Sequence, residues 1–123
     1  MDFKSKFTLE ARKAEAVKIM SKHPDRIPVI CEKSPQCSVQ IPDIDKIKFL
    51  TPKEMVFGQF VFVVRKRIQI KPSQAIFLFI NNTILPHSGD TMTNVYEKYV
   101  DSDGFLYCKY SGENTFGEQL SPA

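Results

Sequence analysis

The sequence is short of what a metal centre or a redox site requires. It holds three cysteines and two histidines. Cys31, Cys37 and Cys108 are odd in number, and their spacing matches no zinc or redox motif. They read as idle thiols in a reducing compartment. His23 and His87 stand alone, so no metal and no cofactor is expected. No cysteine and histidine form a recognisable catalytic motif, and no glycine-rich loop is present to cradle a phosphate. Both absences argue against a hydrolytic or redox enzyme. No apolar run is long enough to span a bilayer. The opening residues, from Met1 to Phe7, are charged with no apolar segment behind them. They do not read as a secretory signal, and a cytosolic start is expected.

What is present suits one small folded domain. The chain has 123 residues with an apolar fraction of 42%, ordinary for a globular protein with a modest core. The formal charge of +3 is too weak to argue for nucleic acid as a partner. The cations are clustered, at Arg65-Lys66-Arg67 and along Arg12, Lys13, Lys18 and Lys22. Such clusters suit an acidic peptide, a lipid surface or plain solubility.

Read in order, the chain begins with a short charged stretch in which Phe3 and Phe7 are the apolar anchors. Thr8 is placed to cap a helix from Leu9 to Lys22. Leu9, Ala16 and Met20 centre its apolar face, with Val17 and Ile19 on the flanks and Arg12, Glu15, Lys18 and Lys22 away from it. Ile19 and Glu15 lie one turn apart and form an edge that is both apolar and acidic. Pro24 stops the helix. Ile27 to Lys33 reads as a strand, and Pro28 within it implies an edge position or an irregular start. A loop containing Pro35 and Pro42 leads to a second strand, Ile47 to Thr51.

The stretch from Val56 to Ile70 is ambiguous. Phe60 to Val64 has strong strand propensity. Met55, Val56, Phe60, Val63 and Arg67 nonetheless recur at three- and four-residue spacing, and the run carries its own cationic end. Strand and buried helix both remain open on pattern alone. Ala75 to Ile80 reads as a central strand covered on both faces. Asn81-Asn82-Thr83 is a turn. Thr91 is placed to cap a helix from Met92 to Tyr99, with Met92, Val95, Tyr96 and Tyr99 on one face. Phe105 to Tyr110 is the last strand. The order fits an α+β β-grasp roll with an N-terminal helical extension and helices on one side of a mixed sheet. The expected division is residues 1–24 for the extension, 25–111 for the core and 112–123 for a flexible tail.

The tail ends in Phe116-Gly117 followed by six residues, Glu118 to Ala123. Glycine is the least hindered residue whose carboxylate an enzyme can join to another molecule, once a protease has exposed it. A glycine in a polar tail is otherwise ordinary.

Several blocks together resemble a known family. They are His23-Pro24-Asp25-Arg26-Ile27-Pro28-Val29-Ile30-Cys31-Glu32-Lys33, Asp45-Lys46, Lys48-Phe49-Leu50, Gly58-Gln59-Phe60, Arg65-Lys66-Arg67-Ile68, and Phe77-Leu78-Phe79-Ile80-Asn81-Asn82. Tyr107, Tyr110-Ser111 and Phe116-Gly117 complete the series. The chain resembles the ubiquitin-like autophagy modifiers of the Atg8, LC3 and GABARAP family, nearest the GABARAP-like branch. The resemblance implies a helix across Val56 to Ile68. The chain departs from the family in a shorter stretch before Leu9, a longer Ser34 to Asp43 loop, and Gly104 in place of a larger apolar residue.

The resemblance implies a non-enzymatic modifier of autophagy. A cysteine protease cuts after Gly117, with Phe116 as a recognition handle. E1-like and E2-like conjugation enzymes then pass the new carboxylate to phosphatidylethanolamine. The modified protein leaves the cytoplasm for the autophagosomal membrane and cytoplasmic vesicles, with the vacuole or lysosome as a further destination. It recruits cargo receptors through peptides of the form aromatic-x-x-aliphatic. By resemblance, the aromatic pocket comprises Glu15, Ile19, Pro28, Ile30, Lys48, Leu50 and Phe105. The aliphatic pocket comprises Phe49, Thr51, Pro52, Met55, Phe60 and Val63. Arg26, Lys46, Lys48 and Arg67 attract acidic flanking residues, and Phe77 and Phe79 serve recognition by the processing enzymes. The alternative is a peptide-binding adaptor in vesicle trafficking that is never lipidated.

Overall fold

The computed structural model describes residues 2–37 and 40–112. Its elements in chain order are α1 (Phe3–Lys6), α2 (Leu9–Lys22), β1 (Arg26–Lys33), β2 (Lys48–Pro52), α3 (Phe57–Ile68), β3 (Phe77–Ile80), α4 (Met92–Tyr99) and β4 (Leu106–Ser111). The ambiguous apolar run is the helix α3. Burial decides it: Phe57, Phe60, Val64 and Ile68 fall on one stripe and are all buried, and tertiary burial overrides strand propensity.

Local chemistry sets the helix ends. The Thr8 hydroxyl accepts from the Ala11 N–H at 3.1 Å, and the Thr91 hydroxyl accepts from the Asn94 N–H at 3.1 Å. Each satisfies one of the orphan donors of a first turn. At α3 the Gln59 side-chain oxygen accepts from the Val56 N–H at 3.1 Å. Gln69, with φ of 55°, ends that helix in the left-handed region. Arg65, Lys66 and Arg67 occupy its last turn, where cations complement the exposed carbonyls.

The four strands form one mixed sheet in the order β2-β1-β4-β3. β1 and β2 are an antiparallel hairpin, β1 and β4 are parallel, and β3 and β4 are antiparallel. Side chains alternate between the two faces. Ile27, Val29 and Cys31 therefore join α3 and α4 in the larger core, with Phe60, Val64, Met92 and Val95. Ile30 points the other way, into a smaller cluster with Phe3, Ala16, Phe105 and Tyr107. Helices thus cover both faces, not one as the element order suggested. α1 and α2 lie over the face that the β-grasp core by itself would leave bare.

Three sequence expectations are corrected. β1 lies between β2 and β4, so Pro28 does not mark an edge. The Cys31 N–H donates to the Ile47 carbonyl at 2.8 Å, so by alternation the Pro28 nitrogen faces away from β2. The ladder to β4 begins only at Val29, and the missing donor of Pro28 is not needed there. β3, read as central, is an edge strand; its apolar character comes from cover on both faces, since Leu78, Phe79 and Ile80 are all buried. On α2 the inward side chain is Ala16, whereas Leu9, Val17 and Met20 are exposed. Arg12, placed outside by its charge, turns inward, with its side chain only 11% exposed.

Candidate functional site

β2 is the edge strand next to β1. Phe49 and Thr51 share hydrogen-bonded positions with Val29 and Ile27, so Lys48 and Leu50 turn their N–H and C=O groups outward. The Arg26 guanidinium reaches the Leu50 carbonyl only at 3.5 Å, a weak contact. An unpaired edge of this kind can take up an extended peptide by strand addition. Alternation places the Lys48 and Leu50 side chains on the α2 side and those of Phe49 and Thr51 on the α3 side. The edge is therefore flanked by two separate grooves.

The α2 side collects most of the expected aromatic pocket. Ile19 packs against a cluster containing Ile30 and Phe105, which are 0% and 1% exposed and form its floor. Glu15 and Lys48 are joined across the top by an ion pair. Leu50 is 38% exposed and lies opposite Pro28 in the hairpin register. This end combines apolar surface with one carboxylate and one ammonium. That combination suits an aromatic ring carrying an N–H or O–H.

On the α3 side, Phe49 stacks edge-to-face on Phe60, with centroids 5.4 Å apart. Phe60 is fully buried and serves as floor, while Val63 is 37% exposed. Pro52 and Met55 are half-buried. Thr51 is 4% exposed. Its hydroxyl is the buried side-chain polar atom left without a partner among the described residues. A cavity of about 590 Å³ opens between Met55, Gln59, Phe62, Val63 and Ser88. Phe62 and Ser88 were not anticipated. The exposed Phe62 was hidden in the Phe60 to Val64 run, where a strand and a helix assign opposite faces. At its edge Gly58 lies close against Ser88, whose Cβ and carbonyl oxygen would each be 3.3 Å from an added Cβ.

The cationic flank is dispersed. Arg26 is half-buried and Lys46 is exposed, while Arg67 is paired to Asp45 at 3.0 Å. Phe77 and Phe79 lie on the opposite edge strand, about 14 Å from β2 at ordinary strand spacing. Phe77 is half-buried and Phe79 is 2% exposed. Phe116 and Gly117 lie outside the described residues.

A buried polar network was missed by sequence reasoning. Asp103 is 2% exposed. Its carboxylate accepts from the Arg12 guanidinium at 2.5 Å, the Tyr107 hydroxyl at 2.5 Å and the Phe105 N–H at 2.8 Å. Burial and the bond to Asp103 push the Tyr107 hydroxyl well above its ordinary pKa. The network fastens α2 to β4 and the turn before it. Gly104 takes part: its φ is +94°, and an added Cβ would meet the Ala16 Cβ at 2.9 Å. Asp103 lies in a turn, and nothing local marks it as an acceptor for a residue 91 positions away.

Among the described residues no group of three or more His, Cys, Asp or Glu side chains could hold a metal ion. Cys31, Cys37 and Cys108 are free and buried. Burial, and then the neighbouring Cys31, push the Cys108 thiol well above its usual range. No helix among the described residues is long and apolar enough to cross a membrane.

A β-grasp sheet whose β2 edge is unpaired among the described residues defines a ubiquitin-like protein. Comparison with known proteins narrows the class. Residues 11–117 match the family described as "Autophagy protein Atg8 ubiquitin like". The chain is 53% identical over 116 residues to autophagy-related protein 8 of Mycosarcoma maydis, covering 94% of this chain and 96% of the relative. It is 56% identical over 115 residues to autophagy-related protein 8B of Oryza sativa, covering 94% of each. The crystal structure of Trypanosoma brucei ATG8 superposes with a TM-score of 0.84 at 46% identity, covering 92% of this chain and 95% of that one. The chain belongs to the Atg8 family of ubiquitin-like autophagy proteins. It is a modifier acted upon by enzymes and not an enzyme itself, and membership supports a vesicle-associated location.

Proposed function

We propose that the chain is cut after Gly117 and conjugated through that glycine to phosphatidylethanolamine. Phe116-Gly117 at the end of the matched region supports this. A processing cysteine protease exposes the carboxylate, and E1-like adenylation makes it an electrophile. Thioester transfer through an E2-like enzyme delivers it to the lipid amine. All nucleophiles belong to the partners; this chain supplies an unhindered acyl group and a surface to recognise. Phe77, half-buried on the β3 edge, is the accessible member of the pair assigned to processing-enzyme recognition. Phe79 acts by supporting that strand. The reading places the chain nearest the GABARAP-like branch on its sequence blocks. Held on autophagosomal membranes and vesicles, it recruits cargo receptors through aromatic-x-x-aliphatic peptides.

The observation that carries the docking function is the free β2 edge between its two grooves. The aromatic anchor enters beside Glu15, Ile19, Lys48 and Leu50, and the aliphatic anchor enters between Met55 and Val63. Burying both gives about 3–5 kcal/mol before ordering costs, which with backbone pairing suits micromolar affinity. Acidic residues beside the motif are drawn to Arg26, Lys46 and Arg67.

Intact-mass measurement of the chain incubated with the cognate protease tests the tail. One product ending at Gly117 is expected, and none from Gly117→Ala; a cut elsewhere defeats the claim. Peptide binding without any cleavage would leave the second reading, an unlipidated adaptor in vesicle trafficking.

A further inference from the structure

Phe3 belongs to none of the expected site residues, yet it lies beneath the aromatic subsite. It is 2% exposed and stacks edge-to-face on Phe105, with centroids 5.4 Å apart at an interplanar angle of 76°. Ile19, Ile30 and Phe105 pack in the same cluster. The Lys48 ammonium stands 5.4 Å from the Phe3 ring centroid. Two of the groups that would meet an incoming ring, Phe105 and Lys48, are thus held by Phe3.

Polar bonds on either side keep Phe3 in place. Its N–H donates to the Glu32 carboxylate at 2.9 Å. The Asp2 carboxylate caps the turn from the Ser5 N–H at 2.9 Å, and Lys4 pairs with Asp101 at 2.6 Å. A four-residue helix has no stability of its own, so these tertiary ties are what hold it. Phe3 itself is buried, whereas Leu50 on the same side of the sheet is 38% exposed.

We infer that Phe3 is a positioning residue for the aromatic subsite: α1 sets the Phe105 ring and the Lys48 ammonium where they select an aromatic anchor over an aliphatic one. This rests on the docking reading above. An edge-to-face pair fixes ring orientation as well as position. A cation held against one ring is also placed to meet the face of a second. A leucine at position 3 would fill the volume but would orient neither group.

The test is calorimetric titration of the full chain with two acidic peptides that differ only at the first anchor, Trp or Leu. Wild type, Phe3→Leu and Phe3→Tyr are compared, with thermal unfolding confirming that each variant is folded. In Phe3→Leu, affinity for the Trp peptide should fall about fivefold to tenfold and affinity for the Leu peptide less than about twofold. Phe3→Tyr should restore the wild-type ratio. Equal losses for the two peptides would mean a merely structural role and would overturn the inference. So would a gain in Trp affinity, which would mean that Phe3 occupies the subsite and competes for it. An unchanged ratio in a wild type that binds both peptides overturns this inference alone. A wild type that binds neither overturns the docking reading together with it.

Discussion

The two faces of the sheet are held by different physics. On the α3 and α4 face the core is almost wholly apolar, with Phe60, Val64, Leu78, Ile80, Met92 and Leu106 all at 1% exposure or less. On the α1 and α2 face five buried residues suffice for the core, and charged groups do much of the fastening. Arg12 reaches Asp103, Lys4 reaches Asp101, Glu15 reaches Lys48, and the Phe3 N–H reaches Glu32. The first face is dry and close-packed, so it is costly to deform. On the second, the more exposed pairs, Lys4–Asp101 and Glu15–Lys48, can break and remake at little cost, whereas Arg12–Asp103 is buried. The groove expected to admit an aromatic ring lies on the second.

The comparison can be broken most severely from beneath. Phe60→Ala should cost about 3–5 kcal/mol by leaving a cavity under β2, with little dependence on salt, as urea unfolding at two ionic strengths would show. Asp103→Ala should cost about 3–5 kcal/mol on the other face for a different reason, because it strands the Arg12 guanidinium without its partner. Adding Arg12→Met to that variant should recover part of the loss, whereas no polar-to-apolar change elsewhere should rescue Phe60→Ala. Failure of the double variant to recover would mean that Asp103 acts chiefly through Phe105 and Tyr107.

Smaller changes sharpen the contrast. Leu50→Ala should weaken binding of an aromatic-x-x-aliphatic peptide about tenfold, or about 1.4 kcal/mol. Phe77→Ala on the opposite edge should leave that affinity within about twofold. Thr51→Val replaces the unpartnered buried hydroxyl with a methyl group and should stabilise the fold by about 1 kcal/mol, read as a shift in urea midpoint.

The smallest effect concerns acid. Burial raises the Asp101 carboxyl, but the Lys4 ammonium, the Asp103 N–H and Arg12 outweigh it and hold the pKa below the ordinary value of 3.8. A depressed carboxylate adds stability above its unfolded pKa and loses it as pH falls through the folded one. Between neutral pH and values below about 4, wild type should therefore lose more stability than Lys4→Met. The difference should be a few tenths of a kcal/mol, the size of an exposed pair. Equal acid sensitivity would remove Lys4 from the account.

Much of this protein is determined by the sequence alone. The Thr8 and Thr91 caps, the stop at Pro24 and the turn at Asn81-Asn82 depend on residues a few positions apart. Short-range hydrogen bonds and steric limits are written directly in residue types. The family resemblance likewise led to the expectation that Glu15, Ile19, Lys48 and Leu50 share one groove. Tertiary structure alone decided which strands became edges, which face of α2 was buried and what lies beneath the groove. Pro28 is tolerated inside the sheet because β4 starts one residue later. Arg12 turns inward because Asp103, distant in sequence, waits with a buried carboxylate. Phe3 is core because β1 and β4, once paired, form a floor that one aromatic ring can cover. Such facts depend on which distant segments meet, and periodicity within a single segment carries no record of its partner.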